Sequence, residues 1–186
     1  MNLYAIALFL HIAGALGFFV VMGLEWIGLS RLRDAAQAEE AGVILRVVNS
    51  ADRLGFVSMP LTIITGFYMV FTAWGFVPWI LVVLGALILE TALFVAIGRP
   101  GMAAIGKALS AEQGALSRSF SDRVHQPVLW ISVQVRTAII LGIVFLKIAK
   151  PGLGVSLLVM AVAILLGAAS ALPGIRTEPV QQSAAD

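Results

Sequence analysis

Cysteine is missing from the 186-residue chain, which removes disulfides, thiolate nucleophiles, iron–sulfur ligation and cysteine zinc sites. Charge is scarce as well: Asp, Glu, Lys and Arg together make up 12% of the residues, against about 25% in soluble domains. No Walker loop, GxGxxG, HExxH or GxSxG pattern occurs, so nucleotide, zincin and hydrolase mechanisms have no foothold and no catalytic residue is assigned. What is present instead is apolar: 60% of the residues are hydrophobic and the mean hydropathy is +1.01. A soluble globule of this length has too much surface to hide so many apolar side chains, and its solvent must therefore be lipid.

The runs set the class as an all-α polytopic membrane protein, because a bilayer-spanning helix needs about 20 predominantly apolar residues. Uncharged or nearly uncharged stretches predict five spans, at about 3–29, 54–74, 78–98, 126–146 and 153–172. The second and third form a tight hairpin around Trp74-Gly75-Phe76-Val77-Pro78-Trp79, where Gly and Pro break the helix and Trp prefers the interface. Residues 1–176 are expected to form a single transmembrane domain, with 177–186 a disordered polar tail. Two connectors have apolar residues at helical spacing, Val43, Ile44, Val47 and Val48 in one, Met102, Ile105 and Leu109 in the other. They predict interfacial helices at about 34–50 and 101–110, lying on the membrane surface.

Orientation follows from the cations. Arg31, Arg33, Arg46 and Arg53, then Arg99, Lys107, Arg118 and Arg123, and finally Arg176 all fall on one side of a five-span chain, opposite Lys147 and Lys150. The positive-inside rule places the N-terminus outside and the C-terminus in the cytoplasm. The first span lacks a basic leader and is expected to be a retained anchor. The formal net charge of +2 is no argument for a nucleic-acid partner; the expected partner is membrane lipid.

Helical periodicity then sorts the few polar groups. His11, Phe18, Met22 and Glu25 share a stripe on the first span, Ser58, Thr62, Thr65 and Met69 on the second, and His125, Ser132 and Arg136 on the fourth, while Glu90 is the polar member of the third. The expectation is a four-helix bundle with a polar interior and a peripheral fifth helix, whose Ala163–Gly167 pair suits close packing on a neighbour or a second protomer. Ionisable groups at membrane depth mark partners or pathways by default. Glu90 and Arg136 lie at similar depth and are expected to pair, either as a lock between helices or as the lining of a ligand or conduction site. Glu25 is expected nearer the surface, meeting His125 or Arg123 or reaching the headgroups. His11 stands well inside an apolar run and reads either as a satisfied structural histidine or as a cofactor or metal ligand. Two histidines at opposite depths cannot share an iron, but Met69 and Met160 lie within about one helical turn of His11 in depth, leaving His–Met ligation open.

The opening Phe9-Leu10-His11-Ile12-Ala13-Gly14-Ala15, followed by Gly17 and the Arg31-Leu32-Arg33 stop, resembles a group of predicted bacterial inner-membrane proteins distantly similar to the copper-resistance CopD family. The resemblance covers about 30 residues and implies a multi-pass protein of the bacterial cytoplasmic membrane, with His11 as a candidate ligand for haem b or copper. The Trp and paired glycines expected after that histidine are replaced here by Gly17-Phe18-Phe19. Three functional readings follow. The first is a non-enzymatic bundle that binds or passes a small solute, ion or proton. The second is a haem- or copper-handling protein using His11. The third is a homo-oligomer or a structural subunit that joins a larger membrane complex through its fifth helix.

Overall fold

In lipid every backbone N–H and C=O needs an internal partner, so the apolar runs form helices. A computed structural model describes residues 2–175; the expected tail at 177–186 lies outside them. Helix α1 spans Leu3–Asp34, its first turn capped by the Asn2 side chain, which accepts from the Tyr4 N–H. Helix α2 (Ala38–Met69) continues through a widened π turn, Val70–Trp74, and ends at Gly75, whose φ of 65° permits the reversal. Helix α3 (Pro78–Leu93) passes through a second π turn, Phe94–Gly98, straight into α4 (Arg99–Leu109). Then come α5 (Arg118–Val124), α6 (Pro127–Ala149), α7 (Leu153–Ser170) and the short α8 (Leu172–Ile175). No strand occurs among the described residues; the loops after α1 and α4 touch through one bridge, Gln37 to Ala115. Five helical stretches are long and apolar enough to cross a membrane, which makes this a multi-pass membrane protein.

Four of those stretches run to 32 residues or more. At ~1.5 Å per residue they exceed a ~30 Å hydrocarbon core by well over a helical turn. The excess gathers at one end. The separate surface helix expected at 34–50 is instead the opening of α2, which continues unbroken into the span. Nothing between Arg46 and Leu54 breaks a helix, and Ala41, Leu45 and Val48 are buried by protein, while Val43 and Val47 stay exposed. The segment expected at 101–110 forms α4, also continuous with its span, and Ile105 is buried in the same core. That core joins Leu29 and Leu32 of α1, Leu45 of α2, Ile105, Phe120, Val124, Leu129 and Trp130. Arg33 lies over the Trp130 ring, 4.7 Å from its centroid, and donates to the Gly174 carbonyl, drawing α8 to this basic end.

The spans pack as two groups. Helices α1 and α2 run against each other over their length, and α3, α6 and α7 form the second group. Glycines set the α1–α2 spacing: a Cβ on Gly14 would come within 2.5 Å of Thr62 Oγ1, and one on Gly28 within 2.2 Å of a Val48 methyl. Helix α6 is the central element, touching α1, α3 and α7 and far more buried than the other spans. The Ala163–Gly167 pair faces α6, since a Cβ on Gly167 would lie 2.8 Å from Val135 Cα and one on Gly142 would lie 3.2 Å from Ala163 Cβ. The small residues of α7 are thus used inside the chain, leaving Leu157, Leu158, Leu165 and Leu166 exposed. The single polar centre expected for four helices does not form; the buried ionisable groups gather in two separate places.

Candidate functional site

Arg136, midway along α6, holds the first cluster. Its Nη1 donates to both Glu25 oxygens, at 2.8 and 3.0 Å, and its Nε donates to Glu90 Oε1 at 3.0 Å. Nη2 reaches the same Glu90 oxygen at 3.0 Å and Met22 Sδ at 3.4 Å. The guanidinium lies over the Phe94 ring, 4.7 Å from its centroid. Helices α1, α3 and α6 are joined through this one side chain. The π turn beginning at Phe94 follows Glu90 by one helical turn, and Gly98 within it leaves room for the guanidinium: a Cβ there would come within 3.0 Å of Nη1. Arg136, Glu90 and Glu25 are 2%, 1% and 6% exposed. Two carboxylates on one guanidinium leave one negative charge in excess unless a proton is held, and all three side chains are sealed from solvent.

The second cluster joins α1, α2 and α6 toward the opposite end. The His11 Nδ1–H donates to the Thr62 carbonyl at 2.9 Å, with Thr65 Oγ1 3.4 Å away. A carbonyl only accepts, so Nδ1 carries a proton, and Nε2 faces the Lys147 amine in direct contact. One hydrogen lies between those two nitrogens. Gly66 makes this contact feasible, because a Cβ there would lie 3.1 Å from His11 Cε1. Thr62 and Thr65 bond back to the carbonyls of Ser58 and Leu61, at 2.8 and 2.6 Å, as threonines in membrane helices do.

Between the two helix groups, beside His11 and Lys147, lies a cavity of about 450 Å³. Its walls come from α1, α2, α3 and α6 and are largely apolar, with Phe18, Ile80, Val83 and Ile140 among them. Its rim holds Tyr4, Trp74, Trp79 and Lys150. Trp74 Nε1 donates to the Tyr4 hydroxyl at 3.1 Å, Trp74 and Trp79 meet edge to face, and the Lys150 ammonium sits 4.2 Å from the centroid of Trp74. The shape is that of a small-molecule site: concave, mainly apolar, with a few convergent polar groups at one end.

The expected residues distribute unevenly over these places. Glu90 and Arg136 meet. Glu25 joins them rather than His125 or Arg123, because α1 extends to Asp34 and so sets Glu25 deeper than a span ending at Leu29 would. His125 caps α5 locally, its Nδ1–H donating to the Ser121 carbonyl at 2.8 Å. Ser132, one turn before Arg136, is buried with no hydrogen-bond partner for its hydroxyl. The partner of His11 was not expected. Lys147 follows Arg136 by eleven residues, three turns of helix, so it shares that face; this periodicity was the available signal.

A metal or haem fits this arrangement poorly. Both His11 ring nitrogens are engaged by protein groups. Met69 lines the cavity, but Met160 packs against Gly142 outside it. No group of three or more His, Asp or Glu side chains that could hold a metal occurs among the described residues. The residues present do not make a haem b or copper site around His11.

The geometry defines a multi-pass helical membrane protein with a cavity between its helix groups and a buried ionic cluster. No protein-family model, curated protein or solved structure matches the chain.

Proposed function

We propose that this chain is a non-enzymatic ligand-binding bundle of a bacterial cytoplasmic membrane, its basic end in the cytoplasm and its cavity opening in the outer half. The observation that carries the reading is the cavity of about 450 Å³ bordered by the His11–Lys147 pair. It falls within the ~300–1,000 Å³ usual for small-molecule sites. The Glu25–Arg136–Glu90 cluster holds the cavity's walls in register and takes no direct part in binding. Passage of an ion or proton from end to end is the weaker reading. Arg136 and Lys147 lie ~16 Å apart along α6, and the cavity lining across that interval, Phe18, Ile140 and Ile143, is an apolar layer. Binding rather than conduction is the activity that such a layer supports.

The test is a cavity-filling substitution. A neutral apolar fluorophore of matching size should quench Trp74 and Trp79 on binding the purified protein in nanodiscs. Val83→Trp should abolish that quenching while leaving the protein monodisperse. Equal quenching by the variant would remove the cavity as the site.

A further inference from the structure

Among the described residues, the cations at the cavity end have no counter-ion. Every Asp and Glu among the described residues lies either in the Arg136 cluster or toward the basic end, on the segments 25–52 and 90–122. Both ion pairs of the described residues belong to Arg136. Lys147 faces only the neutral imidazole of His11, and Lys150 only the face of Trp74. An ammonium drawn inward from the end of a membrane helix is costly unless water or an anion completes its shell. Lys147 projects along a wall whose exposed lining is overwhelmingly carbon, so an anion is the better complement.

The position of the charge defines the shape of that anion. The rim is a Trp–Trp–Tyr group of the kind that sits at the headgroup level. His11 lies eight residues into α1, ~12 Å along its axis. Below it the cavity continues between apolar side chains, past Phe18 and Met59. Toward the hairpin the wall between α2 and α3 is not closed by helix packing: α3 makes its contacts with α6 and α7, and α2 with α1 and, at the basic end, α4. A molecule already dissolved in the bilayer can therefore enter sideways without crossing water.

We infer that the cavity takes an anionic single-chain amphiphile, a fatty-acid-like carboxylate or an alkyl phosphate, with its head on Lys147 and Lys150 and its chain along the apolar wall. This rests on the reading of the cavity as the ligand site and names the ligand class for it. Lys147 supplies the charge, His11 holds Lys147 from the other side, and the Thr62 carbonyl fixes the imidazole that does so.

The experiment uses the full chain in nanodiscs of neutral phosphatidylcholine and a fluorescent sixteen-carbon polyene fatty acid. The alcohol of the same chain and hexadecyl phosphate serve as competitors. The acid and the phosphate should bind at least about tenfold more tightly than the alcohol, as a charge-assisted hydrogen bond at a sheltered site requires. Lys147→Met should erase that preference while still binding the alcohol, and Lys147→Arg should keep it. Val83→Trp should weaken acid and alcohol alike. If acid and alcohol bind equally to the unaltered protein and Val83→Trp blocks both, the cavity is a site but its ligand is not anionic, and this inference fails alone. If inorganic phosphate competes as well as hexadecyl phosphate, the site serves a free anion and the amphiphile is ruled out. If no probe binds and Val83→Trp changes nothing, the reading of the cavity itself falls.

Discussion

Arg136 and Glu25 stand 111 positions apart in the chain and meet through a two-oxygen contact, Nη1 lying 2.8 and 3.0 Å from the carboxylate oxygens. Glu90 takes Nε and Nη2 of the same guanidinium. Three helices thus depend on one cation, and the consequences of removing each member differ in sign of charge.

Arg136→Met leaves two carboxylates facing each other in a buried site, so it should cost the most, ~3–5 kcal/mol by the usual penalty for an uncompensated buried charge. Glu25→Gln leaves a neutral Arg136–Glu90 pair and should cost clearly less. Adding Glu25→Gln and Glu90→Gln to Arg136→Met should recover part of the loss. Thermal unfolding of the purified variants in one detergent checks the order. Equal losses for Arg136→Met and Glu25→Gln would show that the cluster's charge balance is unimportant.

Gly167 and Gly154 offer a matched pair on α7. A Cβ at Gly167 would press on the α6 backbone, 2.8 Å from Val135 Cα, whereas one at Gly154 meets nothing within 4 Å. Gly167→Ala should destabilise by ~1–3 kcal/mol through forced separation of α6 and α7. Gly154→Ala should be neutral or raise stability by up to ~1 kcal/mol through helix propensity. Urea or thermal midpoints of the two variants distinguish these outcomes.

Copper and haem should not bind stoichiometrically at His11, because Thr62 and Lys147 already occupy both ring nitrogens. Elemental analysis and the visible spectrum of the purified protein, before and after loading, provide the measurement. A Soret band or one copper per chain that disappears in His11→Asn would overturn this.

The cysteine-free chain makes sidedness simple to measure. Ser110→Cys at the basic end and Phe76→Cys in the hairpin between α2 and α3 place one thiol at each end. In intact bacterial cells, a membrane-impermeant maleimide should label position 76 and spare position 110 until the cells are opened. The reverse pattern would invert the orientation argued from the arginines.

Composition and periodicity alone determined that this is a helical membrane protein, roughly where its five spans lie, and that Glu90 and Arg136 share a depth. These properties depend on the solvent each residue prefers and on a rise of ~1.5 Å per residue, both local quantities. Periodicity also put His11 and Glu25 on one stripe of α1 and, read a little further, Lys147 on the face of Arg136. Only the tertiary structure decided which stripe meets which. Close approach at Gly14, Gly28 and Gly66 fits α1 to α2, and Gly142 and Gly167 fit α6 to α7. Those contacts send Glu25 to Arg136 rather than to His125, bring Lys147 to His11, and leave a gap between the two helix groups. Backbone separations of this kind arise from pairs of surfaces that are far apart in the chain, and no single helix carries the information to choose its partner.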